Sequence, residues 1–401
     1  LLSKSKVKNC SFAPPPPYIT SSIQHDINVK FGISPINTMN CLQKLYESGK
    51  ITYMRTDSIA ISESFINQCK VYIKNNYSKE FTKRNYKSKI ANAQEAHECI
   101  RPVSLEITKD SIDNEFEKKI YDLIWKRTIS CFLPNYKEDI HEYKFTNSDN
   151  EYFYKNYKKI VDLGYKIIYQ IENEDDNEII SNIVIDSNNY FSNKIEAKEK
   201  NTKPKPRYTE ASLVKELENL GIGRPSTFST IVNTLLLRKY VNKEVKDNKK
   251  EVELDFLSIL PKQTLLENKY TSKVISQKGK LILTELGYFV NQYMDSNFSN
   301  INSYQFTSNI NEELDKISRG DLVWHKLVLN VYNSFINKVN NLKKQTYISQ
   351  NDNEQLILDG KNHKYFYYRD KYGINIIQQG DERKKKRNNS IDINNTNENE
   401  L

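Results

Sequence analysis

No stretch of the sequence approaches the roughly 18 to 20 consecutive apolar residues that a bilayer span requires, and the first residues lack the apolar core of a secretory signal. The five cysteines, Cys10, Cys41, Cys69, Cys99 and Cys131, are odd in number, widely spaced and free of any CxxC pair. That spacing argues against zinc ribbons and against a disulfide framework. The expectation is a soluble, reduced, intracellular protein. A chain that opens Leu1-Leu2 and runs at once into Lys-rich and then Pro-rich sequence reads as a piece of a longer product.

What is present is basic and aromatic. Across 401 residues, Lys+Arg 60 outnumber Asp+Glu 51, for a formal charge of +9. Only 37% of residues are hydrophobic, but Tyr 27 and Phe 16 supply large apolar surfaces that can build a core. The length predicts two to four subdomains.

Periodicity places the elements. Residues 14–17 are four prolines, an extended spacer. Ser21 or Ser22 then predicts the cap of a helix carrying Ile23, Ile27 and Phe31. Ser34-Pro35 is an N-cap followed by proline at the first helical position, with Met39, Leu42 and Tyr46 on one face and Gly49 as the stop. Residues 51–57 read as a short strand, and Ser62 restarts a helix through Phe65, Ile66, Cys69 and Ile73. A further helix carries Phe116, Ile120, Leu123 and Ile124. Between about residues 142 and 199 the period drops to two, as in Tyr152-Phe153-Tyr154 and from Ile179 to Ile185, predicting antiparallel strands. Thr209 caps a helix through Leu213, Val214, Leu217 and Leu220, Ser226 the next, and Thr284 and Thr307 two more. A strand-like module spans residues 356–379. The Arg383-Lys384-Lys385-Lys386-Arg387 run and the Asn-rich tail after it lack core-forming residues.

Three groups of residues can do chemistry. Tyr53 and Arg55, two apart on the predicted strand, share a face. A phenol can form a covalent phosphotyrosine while a planar guanidinium binds the phosphate oxygens; the same pair can equally well just line a strand. His97, between Glu95 and Glu98 and followed by Arg101, can contact a phosphate, relay a proton or act only as a structural hydrogen-bonder. Gly221-Ile222-Gly223-Arg224-Pro225-Ser226-Thr227 puts backbone N–H groups, two hydroxyls and an arginine at a helix N-terminus, which suits a phosphate. It also suits an ordinary helix-helix turn.

Four ordered motifs bring these groups together: PPPPYITSSIQ (14–24), ITYMRTDS (51–58), QEAHECIRP (94–102) and RYTEASLVKELENLGIGRPSTFSTIVNTLLLRKYV (207–241). In order and spacing they resemble the type IA DNA topoisomerases, and residues 283–324 resemble that family's later helices. LGIGRPST is nearer the bacterial topoisomerase I branch than the topoisomerase III branch.

The resemblance implies a DNA-cleaving nucleophile at Tyr53, assisted by Arg55, with His97 as the active-site histidine and Asp57 ordering the site through a basic partner. It implies contacts from Thr227 and Arg238 to the backbone of single-stranded DNA, with Arg224 as a further DNA-binding candidate. Its Mg2+ belongs to an acidic Toprim domain that should precede Tyr53, and only 52 residues do so here. The cluster Glu172-Asn173-Glu174-Asp175-Asp176 follows the tyrosine in the wrong order and reads as a solvated turn. Cys99 stands where the family commonly has alanine. The fold implied is α+β and multidomain: linker 1–13, a mainly helical gate domain 14–138 with the catalytic tyrosine, a β-rich arch 139–206, a helical DNA-binding base 207–344, a C-terminal β repeat 345–380 and a disordered tail 381–401. In that repeat Tyr365, Phe366, Tyr367 and Tyr368 could stack on bases. The partner implied is single-stranded segments of negatively supercoiled duplex, met by a monomer without ATP or a membrane. A non-catalytic single-strand binder and a helix-turn-helix regulator are the other classes.

Overall fold

The computed structural model describes residues 2–86, 97–146, 149–169, 195–200, 202, 205–245, 251–259, 266–273, 277–346, 355–359, 364–370 and 373–378, the last three segments for their backbone alone. In chain order the elements are β1 (Leu2–Phe12), α1 (Thr20–Phe31), α2 (Pro35–Glu47), α3 (Glu63–Asn76), α4 (Glu115–Ser130), β2 (Tyr136–Thr146), β3 (Tyr152–Asp162), β4 (Ile195–Lys198), α5 (Glu210–Asn219), α6 (Phe228–Leu237), β5 (Val241–Lys243), β6 (Glu251–Ile259), β7 (Leu266–Lys273), β8 (Leu281–Leu283), α7 (Glu285–Phe298), α8 (Tyr304–Ser318), α9 (Trp324–Thr346), β9 (Gln355–Asp359), β10 (Lys364–Asp370) and β11 (Gly373–Gln378). They fall into two compact units, Leu1–Pro206 with Asp247–Gln277, and Arg207–Lys246 with Lys278–Leu401.

In the first unit Ser34 caps α2 as expected, Ser62 precedes α3 without a side-chain cap bond, and the cap of α1 moves. Asn37 N–H donates to Ser34 Oγ at 3.4 Å at the start of α2, and Pro35 is its first residue. The helix ends at Ser48, after which Gly49 takes φ +68, the left-handed conformation that an L side chain resists. Met39, Leu42 and Leu45 enter the core, whereas Tyr46 turns outward. α1 begins at Thr20, earlier than either serine expected to cap it, and Ser22 Oγ instead accepts the Ile19 N–H at 3.0 Å. Its Ile23 and Ile27 are buried, with Phe31 left partly exposed. α4 is capped by Asn114, whose Oδ1 accepts from Phe116 and Glu117 N–H.

Four expectations change. Residues 2–12 are not a linker: β1 pairs antiparallel with β2, and β2 with β3, in a three-stranded sheet. The proline stretch is packed rather than a free spacer, with Pro14 and Pro17 buried and Pro16 O accepting from Arg127 Nη1 at 3.2 Å. Residues 51–57 are not a strand; Ile51 makes one isolated bridge to Pro102. Finally, β6 pairs with β4 and with β7, so residues 247–277 interrupt the stretch expected to be a helical base and belong to the first unit. The alternation Val252, Leu254, Phe256 against Glu251, Glu253, Asp255 is the period of a strand. The expectations for residues 179–185 and for the acidic cluster 172–176 lie outside the described residues.

In the second unit Ser212 N–H donates to Thr209 Oγ1 at 3.1 Å, capping α5, and Gly287 N–H donates to Thr284 Oγ1 at 2.9 Å, capping α7. Two caps move. Ser226 yields to Thr227 as the N-cap of α6, and Thr307 lies inside α8, which is capped by Ser303. β5 pairs with β8. A Cβ on Gly287 would stand 2.1 Å from Tyr240 O, so only glycine admits this close approach of α7 to the chain entering β5. The strand-like module expected over residues 356–379 forms strands: β10 and β11 make a hairpin, with β9 on the other edge of β10. The side chains of Tyr365, Phe366, Tyr367 and Tyr368, the basic run 383–387 and the tail lie outside the described residues.

Candidate active site and nucleic-acid interface

The segment carrying Tyr53 is held from both sides by backbone bonds. Thr52 N–H donates to Arg101 O at 2.9 Å, and Thr52 Oγ1 to Cys99 O at 2.7 Å. Arg101 N–H returns to Thr52 Oγ1 at 3.0 Å, and Val103 N–H reaches Lys50 O. On the other side Thr20, at the start of α1, donates from Oγ1 to Met54 O at 2.7 Å and from its N–H to Thr56 O at 2.9 Å. Met54 and Thr56 are buried while Tyr53 and Arg55 are exposed. The alternation expected of a strand therefore survives in irregular backbone, and the phenol and guanidinium are both offered to solvent.

The same braces bring in residue 97. Cys99 N–H donates to Ala60 O and Ile100 N–H to Tyr18 O, fixing the chain just after His97. The His97 ring centroid lies 5.9 Å from that of Tyr53. Tyr53 also meets Tyr46 edge to face, with centroids 5.3 Å apart at 67°. Tyr53, Arg55 and Asp57 make no side-chain hydrogen bond or ion pair among the described residues. Asp57 thus lacks the basic partner expected for it within this set.

Arg101 is not a solvent-facing phosphate binder. It is buried, its Nε donates to Glu98 Oε2 at 2.6 Å, and its guanidinium lies 4.0 Å from the Phe65 ring centroid. Burial alone would raise the Glu98 carboxyl, but its bonds with Arg101 and Ser62 outweigh that and hold it below the usual carboxylate range. Glu98 and Arg101 are thus a structural pair that stiffens the backbone next to His97.

In the second unit the glycine-rich turn is bound to α8. Arg224 Nη2 donates to Asp315 Oδ2 at 2.6 Å and to Asn311 O at 3.1 Å, and Asn311 Nδ2 donates to Gly221 O at 3.1 Å. Gly221 and Gly223 take φ of +68 and +82, and a Cβ on Gly221 would stand 2.9 Å from Ser308 Oγ. Thr227 Oγ1 accepts the Arg224 N–H at 2.9 Å. Arg224 is therefore engaged in holding the turn, unlike the free phosphate ligand expected of it, and Thr227 closes the same turn from an exposed position. Arg238 caps the end of α6, exposed, followed by Lys239 in the left-handed region at φ +56.

Magnesium does not fit here. Among the described residues no group of three or more His, Cys, Asp or Glu side chains could hold a metal ion. No helix among them is long and apolar enough to cross a membrane.

Tyr46 is the neighbour that periodicity misplaced. Its spacing from Met39 and Leu42 suggested the core, but Leu45 takes that place. The signal was the tight turner Gly49 midway between two tyrosines seven apart. The bonds of Thr20 to residues 54 and 56 have no signal in sequence.

Comparison with known proteins bears on the family of the chain. The DNA topoisomerase family profile matches residues 2–256. The "DNA topoisomerase 1 type prokaryotic" of Acanthamoeba polyphaga mimivirus is 34% identical over 383 residues, which are 90% of this chain and 45% of that protein. DNA topoisomerase 1 of Rickettsia bellii is 33% identical over 371 residues, 86% of this chain and 41% of its own. The full-length topoisomerase I structure from Thermotoga maritima superposes with a TM-score of 0.62 at 25% identity, covering 95% of this chain and 59% of that one. The chain thus spans less than half the length of the curated relatives it matches.

Proposed function

The chain belongs to the type IA, or bacterial-type, DNA topoisomerase family, and from that premise we propose that it carries the strand-cleaving tyrosine of such an enzyme. Tyr53 Oη attacks the phosphorus of a backbone phosphodiester in one DNA strand. The bond from phosphorus to the 3′ oxygen breaks, leaving a free 3′ hydroxyl and a 5′ phosphate esterified to the tyrosine. After another strand has passed through the break, the 3′ hydroxyl attacks the phosphotyrosine and restores both the diester and the phenol. The phosphotyrosine conserves the energy of the cleaved bond, so relaxation of negative supercoils needs no ATP.

The observation that carries this reading is the exposed, unbonded Tyr53 phenol, in ring contact with His97 and two residues from exposed Arg55, on a backbone braced by Thr20 and Thr52. Arg55 binds the scissile phosphate and offsets the charge that builds on it in the transition state. His97 contacts the phosphate or relays the phenolic proton, and Asp57 orders the site when DNA is bound. In the second unit Thr227 and Arg238 contact the single-strand backbone, while Arg224 holds the turn that presents Thr227. The charge of +9 favours any nucleic acid regardless of sequence and makes binding weaken with salt. Residues 14–138 act as the gate, 139–206 together with 247–277 as the arch, through the pairing of β6 with β4, and 207–246 with 278–344 as the base. The Mg2+ that the family uses belongs to its Toprim domain, and no group of His, Cys, Asp or Glu among the described residues could hold it.

Covalent trapping tests the reading. The full protein that contains this chain is incubated with magnesium and a single-stranded oligonucleotide labelled at its 3′ end, then run under denaturing conditions. Label moving with protein in the wild type, and lost in Tyr53→Phe with DNA binding retained, is the expected result. Label retained in Tyr53→Phe would place the nucleophile elsewhere, and binding without transfer in the wild type would make the protein a binder.

A further inference from the structure

The Tyr53 phenol must approach phosphorus to about 3 to 3.5 Å along one line of attack, yet among the described residues no hydrogen bond fixes its side chain. Ring contacts remain. His97 lies tilted at 31°, and Tyr46 makes an edge-to-face contact, the closer of the two. Tyr46 is itself well anchored. It sits in the last turn of α2 beside Leu45, which is 1% exposed, and its carbonyl accepts the Gly49 N–H at 2.9 Å. Lys50 N–H then donates to Leu45 O at 2.9 Å. The reversal at Gly49 returns the chain along the helix end, so that residue 53 meets residue 46.

We infer that Tyr46 is a positioning residue for the nucleophile, its ring holding the Tyr53 ring in the orientation from which Oη reaches the scissile phosphate. The inference rests on Tyr53 being the nucleophile. It assigns the work to the Tyr46 ring and none to its hydroxyl, since an edge-to-face contact needs only the aromatic edge and face. Tyr46 keeps 40% of its surface exposed, so altering it leaves the core formed by Met39, Leu42 and Leu45 in place.

The test is single-turnover cleavage of a 3′-labelled single strand at saturating DNA by the full protein with magnesium, alongside DNA affinity and thermal melting. Tyr46→Phe is expected to cleave within about twofold of wild type, and Tyr46→Leu about five- to tenfold more slowly at unchanged affinity, the scale of one aromatic pair. If Tyr46→Leu melts early, Tyr46→Met, an unbranched side chain of similar reach, takes its place. Three outcomes overturn the inference: Leu as fast as wild type, Phe as slow as Leu, which would make the hydroxyl the active group, or a loss confined to affinity, which would make Tyr46 a platform for a DNA base. If wild type forms no adduct, or Tyr53→Phe still forms one, the proposed function fails and takes this inference with it; that result is distinct from the other three because it appears before any Tyr46 variant is compared.

Discussion

Thr20 and Thr56 are tied to each other twice: Thr20 N–H donates to Thr56 O at 2.9 Å, and Thr56 N–H donates to Thr20 Oγ1 at the same distance. Both residues are buried, at 1% and 2% exposure. The Thr20 hydroxyl also reaches Met54 O, so one oxygen spans the backbone on both sides of Arg55. Thr20→Val keeps the shape, removes that oxygen and strands a buried N–H and a buried carbonyl. It should cost about 1–3 kcal/mol of stability, read as a lower urea midpoint at unchanged slope. Cleavage should slow further than the stability loss accounts for, because the loosened segment carries Tyr53. Unchanged cleavage in a folded Thr20→Val protein would show that the Tyr53 loop holds its shape without this brace.

Arg55 should be irreplaceable by lysine. Its guanidinium is exposed and makes no bond among the described residues, so nothing structural is lost by exchanging it. A lysine keeps the charge but not the planar fork that contacts two phosphate oxygens at once. Arg55→Lys is expected to slow the chemical step by about 10–100-fold while melting temperature and DNA affinity barely change. The comparison is single-turnover cleavage against equilibrium binding of the same oligonucleotide; parallel losses in both would make Arg55 a binding residue only.

Asp26 predicts an acid-sensitive fold. Burial alone would raise its carboxyl, but the Tyr18 hydroxyl at 2.7 Å, the Arg127 guanidinium at 2.6 Å and His25 outweigh that and hold it below the ordinary value. A carboxyl depressed in the folded state adds stability that is fully present above its unfolded pKa, near 4, and lost as pH falls through the folded value. Asp26→Asn should therefore cost about 2–3 kcal/mol at pH 7, discounted for partial exposure from a fully buried pair. The gap should close as pH falls well below 4. Urea unfolding of both proteins at pH 7, 5 and 3 checks this, and a gap independent of pH would mean that packing, not charge, is at stake.

Legibility followed locality. The caps at Ser34, Thr209 and Thr284 were readable because a hydroxyl one turn from its N–H is a local arrangement. Ser22 misled because the backbone starts α1 right after Ile19, and Ser226 because the backbone sets the boundary of its helix one residue later, at Thr227. β1 hid in Lys-rich sequence because its partner β2 lies more than 120 residues away. The same holds for the join of β4 to β6, whose strands are separated by two helices. At the proposed site the motifs point to Tyr53, Arg55 and His97, but a motif cannot say that Arg101 and Arg224 pair with Glu98 and Asp315. An arginine's role depends on which carboxylate folding brings beside it.

That difference separates Arg224 from Arg238. Both lie in the same motif, yet Arg224 donates to Asp315 and two backbone carbonyls, while Arg238 ends α6 exposed with no side-chain bond among the described residues. Arg224→Ala should release the glycine turn from α8 and lower stability by about 1–2 kcal/mol, a modest figure because the ion pair is about a third exposed. The slope of log affinity for single-stranded DNA against log salt should stay as in wild type. Arg238→Ala should do the reverse, leaving the melting temperature in place, weakening binding about equally across sequences and reducing the salt slope by about 1, as expected for one lost phosphate contact. The measurement is oligonucleotide binding at four or five salt concentrations for the two variants side by side. A reduced slope in Arg224→Ala would mean that its pair with Asp315 opens to admit DNA, and an unchanged slope in Arg238→Ala would remove Arg238 from the interface.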